Sequence, residues 1–206
     1  MKFITIFLLI LLPIAARSQV EVGVRSGVAF SKQKYDNYSY PPHLSNHIVS
    51  IEAGAMLNWF FLRSFFLQPE LTFIQKGGAY SNSTVKIDHL EAATLLGYER
   101  KCEKLSLFVN SGVFMDRILN RIMDRSVGND NDEYNWGWGL MHGGGAAIPI
   151  GKGWIGLAGR YRYSLSGFRK VYETDINGER IPDRDPIIIY KNKGWSINLY
   201  YKIDIH

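Results

Sequence analysis

Five histidines and one cysteine are the residues from which a metal site or a nucleophile would most readily be built: His43, His47, His89, His142, His206 and Cys102. A structural zinc site needs several such ligands held on neighbouring turns or loops. The histidines here lie in stretches without helical period, and Cys102 stands alone, so they read as single polar or rim residues. No metal ligand and no cofactor is expected. His43-Leu44-Ser45 sets a base and a hydroxyl two residues apart, the spacing a lipid deacylase on a barrel wall would need. It follows Pro41-Pro42 in a polar stretch where no strand would fix the geometry, so no catalytic residue is expected either. Asp124, Asp130, Asp132 and Glu133 could gather around calcium, but they lack the EF-hand spacing and its glycine. They read as a solvated loop.

The charges that remain sit in another pattern. In Val20–Phe30 the residues Val20, Val22, Val24, Val28 and Phe30 alternate with Glu21, Gly23, Arg25, Gly27 and Ala29. A strand puts successive side chains on opposite faces, so one face is apolar and the other small or charged. The same period of two recurs at 64–76, 104–116, 153–165 and 191–205, and less cleanly at 48–59, 85–98 and 134–149. The last of these carries Gly143-Gly144-Gly145, where a bulge or bend is expected. That gives eight strands, each near or above the length that crosses a bilayer at a tilt.

The connections alternate in length. Long polar segments, Ser31–Asn46, Arg117–Glu133 and Ser166–Tyr190, and the shorter Gly77–Ser83 lie on one side. Short turns near 60–63, 100–103 and 150–152 lie on the other. Asn177-Gly178 in the last long segment is a type I′ hairpin signal, which would extend strands seven and eight as a ribbon. Alternation of this kind suits an antiparallel up-and-down barrel. With an even strand number, the first and last strands can pair and leave no edge.

Polarity decides which face points inward. The charged face carries both signs, which could neutralise one another in a packed lumen. A structural charge network is expected from Arg25, Glu52, Glu70, Glu91, Arg160, Arg162 and Lys202, with Glu70 and Glu91 paired to Arg160, Arg162 or Arg25. The other face is aliphatic in mid-strand and aromatic at the ends. Trp59, Phe60, Phe65, Tyr98 and Trp154 would form a girdle near the short turns, and Trp136, Tyr163 and Trp195 one near the long connections. The expected fold is all-β: an eight-stranded antiparallel up-and-down transmembrane β-barrel of OmpA/OmpX-like architecture. A soluble, lipocalin-like barrel that binds a hydrophobic ligand is the alternative.

Location follows from the first residues. Lys2, an apolar run from Phe3 to Leu12, Pro13 and the small residues of Ala16-Arg17-Ser18 have the layout of a secretory signal peptide cut after Ser18. The run is too short to span a bilayer as a helix. Residues 1–18 are therefore read as an address and 19–206 as one outer-membrane barrel domain. Removal of the signal takes away Lys2 and Arg17 from a chain whose formal charge is +5. A single cysteine excludes a disulfide framework. The mixed signs along the chain argue against nucleic acid as a partner.

The order of elements resembles the PorT-like outer-membrane β-barrel proteins of Bacteroidetes. The likeness runs through Val22-Gly23-Val24-Arg25-Ser26-Gly27, through Leu67-Gln68-Pro69-Glu70-Leu71 with Gln75-Lys76-Gly77, and through His89-Leu90-Glu91, a Gly-rich sixth strand and Arg160-Tyr161-Arg162-Tyr163. The chain departs from that group at Ala92-Ala93-Thr94, where an Ile-Pro pair is usual. The resemblance implies an outer-membrane barrel, and the group's namesake adds an accessory role in protein secretion as one alternative. The expected protein is non-enzymatic and monomeric, with outer-membrane lipid or lipopolysaccharide as partner and other envelope proteins as further candidates. Intact mass of the protein from a membrane fraction should place the first residue at Gln19; a chain still carrying Lys2 would overturn the export reading.

Overall fold

The structure, a computed structural model, describes residues 19–37, 46–80, 83–123, 133–134, 136–167, 169–171 and 188–205. The expected signal segment, the His43/Ser45 pair, Asp124, Asp130, Asp132 and the Asn177-Gly178 turn lie outside the described residues. Eight long strands follow one another: Gln19–Asn37, Ile48–Phe60, Phe65–Tyr80, Ser83–Lys101, Ser106–Met123, Gly137–Ile150, Gly153–Ser164 and Ile188–Ile205. Each is antiparallel to the next, and the first pairs with the eighth from Val20–Ile205 to Asn37–Ile188. The cylinder is closed, so over the rows that all eight strands share each strand is paired on both sides.

Sequence alternation becomes an inside and an outside. Val24, Ile51, Leu71, Leu96, Val109, Leu157 and Leu199 all point outward and are exposed. Their neighbours along each strand are buried, many of them charged. A soluble barrel would show the reverse, and each exposed Leu or Val of this band would cost about 1.5–3 kcal/mol relative to burial if it faced water. The apolar wall is therefore a lipid-facing surface.

The strands run further than their hydrophobic pattern indicated. The first continues to Asn37 and the fifth to Met123, and Gly77–Tyr80 is still strand. On the same side, Arg169–Val171 pairs with Ile188–Tyr190, and Glu133–Tyr134 pairs with Arg169–Lys170. Here the segments expected as loops are in part sheet, because backbone pairing carries on after the apolar face has ended. At the other end the connections are tight. In the turn Gly151–Lys152, Gly151 has φ of 57°, a conformation without penalty for a residue lacking Cβ.

Three expectations need correction. Phe60 is buried, on the inner face with Met56 and Asn58, and its ring lies 5.3 Å from that of Phe66. Trp154 also faces inward, packed against the cluster of Met56, Ala147, Ala158 and Tyr200. Both floor the lumen at the short-turn end instead of joining the girdle, since each shares the parity of its strand's inner face. Of the remaining girdle residues, Phe65, Tyr98, Trp136, Tyr163 and Trp195 are exposed, and Trp59 is half-buried on the outer face. Third, Gly143-Gly144-Gly145 makes no bulge. Its pairing is unbroken on both sides, and the ladder irregularity falls at Asp88/His89 instead.

The inner face of the sixth strand is small for a reason of space. A Cβ on Gly139 would come within 2.8 Å of the Phe114 ring, and one on Gly145 within 2.7 Å of Phe108. Gly97 does the same for Phe66, whose ring covers it so closely that a Cβ would lie 2.1 Å from the ring. Gly97→Ala should therefore overpack a fixed, buried ring and destabilise the barrel by about 1–3 kcal/mol, read as a lower urea midpoint in detergent; an unchanged midpoint would mean the ring can move aside.

Candidate functional site

The lumen holds the densest group of chemically active side chains. It is built in three tiers from residues that alternate with the wall. In the middle tier, the Arg160 guanidinium donates to both oxygens of Glu70, at 2.6 and 2.5 Å. Arg25 lies 3.2 Å from Glu70 and from Glu52, and donates to Thr72 at 2.8 Å. Gln68 donates to Glu70 at 2.7 Å, and Asn110 donates to Gln68 at 2.8 Å.

Toward the long connections, Arg162 bridges Glu91 and Glu52, each at 2.9 Å, and donates to Ser196 at 3.0 Å. Lys76 donates to Glu91 at 2.8 Å and to Asp116 at 2.6 Å. His89, wholly buried, sets Nδ1 3.1 Å from Asp116. Toward the short turns, Lys202 donates to Glu99 at 2.7 Å and lies 2.8 Å from Glu21. Lys101 pairs with Glu21 from the rim, Ser106 donates to Glu99, and Asn58 donates to Glu21 at 3.0 Å.

Among the described residues six carboxylates (Glu21, Glu52, Glu70, Glu91, Glu99 and Asp116) meet six cations (Arg25, Lys76, Lys101, Arg160, Arg162 and Lys202), and at the rim Asp204 lies 3.6 Å from Lys101, so the two signs nearly cancel. Every residue named for the charge network is thus placed inside, and Glu70 and Glu91 touch the arginines named for them. Asp116, Glu99 and Lys101 join the network without being expected in it. The signal for Asp116 was its parity with Asn110 and Gly112. Glu99 and Lys101 lie where the fourth strand runs on past Tyr98 into what reads as a turn.

Chemically this is a plug. All of the carboxylates are tied to cations, so none is left as a free base. The hydroxyls of Ser106, Thr72 and Ser196 are occupied by the network and approach no free base. Among the described residues no group of three or more His, Cys, Asp or Glu could hold a metal ion. Cys102 is an exposed free thiol in a short turn.

With this geometry in hand, the family is decided by sequence. The pattern of the outer membrane protein beta-barrel domain matches residues 15–169. The chain belongs to that family. No curated protein matches it in sequence. Among solved structures it is similar to the outer membrane protein OprG of Pseudomonas aeruginosa, with a TM-score of 0.57 and 9% identity over 90% of this chain and 96% of that one. Neisserial surface protein A (TM-score 0.48, 11% identity, 89% and 97% covered) and Ail, the attachment invasion locus protein of Yersinia pestis (0.45, 14%, 90% and 99%), are also similar. At these identities the likeness to OprG supports the fold, which is that of a closed eight-stranded outer-membrane barrel.

The plug makes a direct prediction. Arg160→Met should leave Glu70 short of its bidentate partner in a dry interior and cost about 3–5 kcal/mol, measured by urea unfolding in detergent. Glu70→Gln in the same chain should recover part of that loss. Equal losses in the single and double variants would mean that the pair is not coupled.

Proposed function

We propose that this family member is a non-enzymatic, integral outer-membrane barrel whose role is structural or one of interaction, carried out by its outer rim and the long segments beyond it. The observation that carries this reading is the plug of buried ion pairs, in which each inner carboxylate is paired with a cation. A lumen filled by ion pairs offers solutes no wide path and substrates no free base. What is left for function is the wall and the rims.

The rim with the long connections favours an anionic lipid partner. Phe30 and Trp195 stack with ring centroids 4.0 Å apart on the outer face. Directly beyond them Lys32 is opposed to Lys193. Like charges directly opposed across a ladder repel, and His47 beside them is held below the ordinary histidine pKa by partial burial and by Lys32 and Lys193. Phosphates at the level of an aromatic belt would relieve this repulsion, which makes lipopolysaccharide the partner proposed for this rim. The secretion role attached to PorT-like proteins rests on the resemblance alone. Its most specific stretch, Leu67–Leu71, supplies Gln68 and Glu70 to the plug, so packing accounts for it.

Two measurements test the reading. In a planar bilayer the folded protein should stay closed; porin-sized conductance steps would overturn the plug. A photo-crosslinker at Lys193 in intact cells should capture lipopolysaccharide, and one at Lys104 on the opposite rim should not. The reverse result would invert the orientation and the role.

A further inference from the structure

The outer wall between its aromatic belts is aliphatic apart from a few polar positions, and one of these carries an imidazole. Ser111 on the fifth strand and His142 on the sixth are directly opposed. Both side chains point outward and are exposed, and Ser111 Oγ lies 2.8 Å from His142 Nδ1. Leu140, Val109, Val113 and Tyr161 surround the pair on the same face. An ionisable side chain aimed into hydrocarbon is rare and calls for a partner. Ser111 satisfies one ring nitrogen. With the hydroxyl donating to Nδ1, the proton sits on Nε2, which has no partner among the described residues and no water to turn to.

The wall is cut away beside this pair. Gly144 and Gly159 oppose one another with their absent side chains on the outer face, and a Cβ on Gly159 would meet nothing within 4 Å. Beyond them, on the side of the short turns, lies a shallow apolar depression over Ala146, Ile148, Ile155, Leu157 and Leu199. A donor at the top and an apolar depression below match a lipid of the leaflet on the long-connection side. Depth narrows its class. His142 lies four residues inside Trp138, roughly 10 Å along a tilted strand, which is deeper than ester linkages next to a headgroup. An oxygen at that level belongs to the chain itself.

We propose that Ser111, His142, Gly144 and Gly159 form a binding site for one lipid with oxygenated acyl chains, hydroxyacyl or acyloxyacyl. Nε2 of His142 donates to the chain oxygen, and the chain lies over the two glycines into the depression. The pair holds the serine and the base of an acyl-transfer site. The backbone N–H groups around it are committed to the sheet, however, so no oxyanion hole accompanies it. The site depends on the membrane wall and is separate from the lysine rim.

Native mass spectrometry of the folded protein tests this. The protein is exposed to equal amounts of dimyristoyl phosphatidylcholine and its bis(3-hydroxymyristoyl) counterpart in micelles. The wild type should retain one hydroxylated lipid with a roughly fivefold to tenfold preference, the yield of one hydrogen bond. His142→Leu, an apolar change on a lipid-facing wall whose folding is checked by heat-modifiability, should bind both lipids alike. Gly159→Leu should retain neither. No preference in the wild type, or an unchanged preference in His142→Leu, overturns the site. So does a protein dimer in place of the bound lipid. Release of free fatty acid that is lost in Ser111→Ala would also overturn it, by making the pair a catalyst.

Discussion

A closed cylinder of eight strands is just filled by its inner side chains, so charges placed inside it are largely cut off from bulk water and need opposite ions as partners. The rest of the structure follows from this. Glu70 sits between Arg160 and Arg25, Glu91 between Arg162 and Lys76, and Glu21 between Lys202 and Lys101. Pairing in a dry interior tolerates little misplacement, because an ion that loses its partner keeps its full desolvation penalty. Seven strands contribute ions to the network. The sixth contributes none, and its glycines leave the space that Phe108 and Phe114 fill.

The wall solves the complementary problem. Apolar side chains that would be a liability in water are at rest in lipid, and they need no specific partners. Variation on the outside is therefore cheap, while variation inside is constrained pair by pair. This explains why a likeness of 9% identity to OprG can coexist with the same barrel. It also explains why polar groups on the wall, such as His142, stand out against their surroundings.

The fold was legible because a period of two, repeated eight times with alternating connections, has few other solutions. The inner charges were legible through the same parity, which assigns Arg25, Glu52, Glu70, Glu91, Arg160, Arg162 and Lys202 to one side. Parity assigns Trp154 inward although its nearness to a turn suggests a girdle, and the same holds for Phe60. Aromatics near a turn can floor a lumen as easily as ring a membrane, and only the strand's own alternation separates the two. Parity with Asn110 and Gly112 places Asp116 on the same inner face. Glu99 and Lys101 were hidden because the fourth strand outlasts its apolar pattern. Which carboxylate meets which cation depends on register between strands, and no local pattern encodes that.

Register itself has more than one solution as far as the backbone is concerned. A strand slipped by two residues keeps each side chain on its proper face and re-forms nearly all of its ladder bonds. In this barrel such a slip would carry Glu70 to the level of Thr72 or Gln68 and strand Arg160 opposite an amide or hydroxyl. The ions thus act as a key to closure, rejecting misaligned cylinders that hydrogen bonding and greasy contact would both accept.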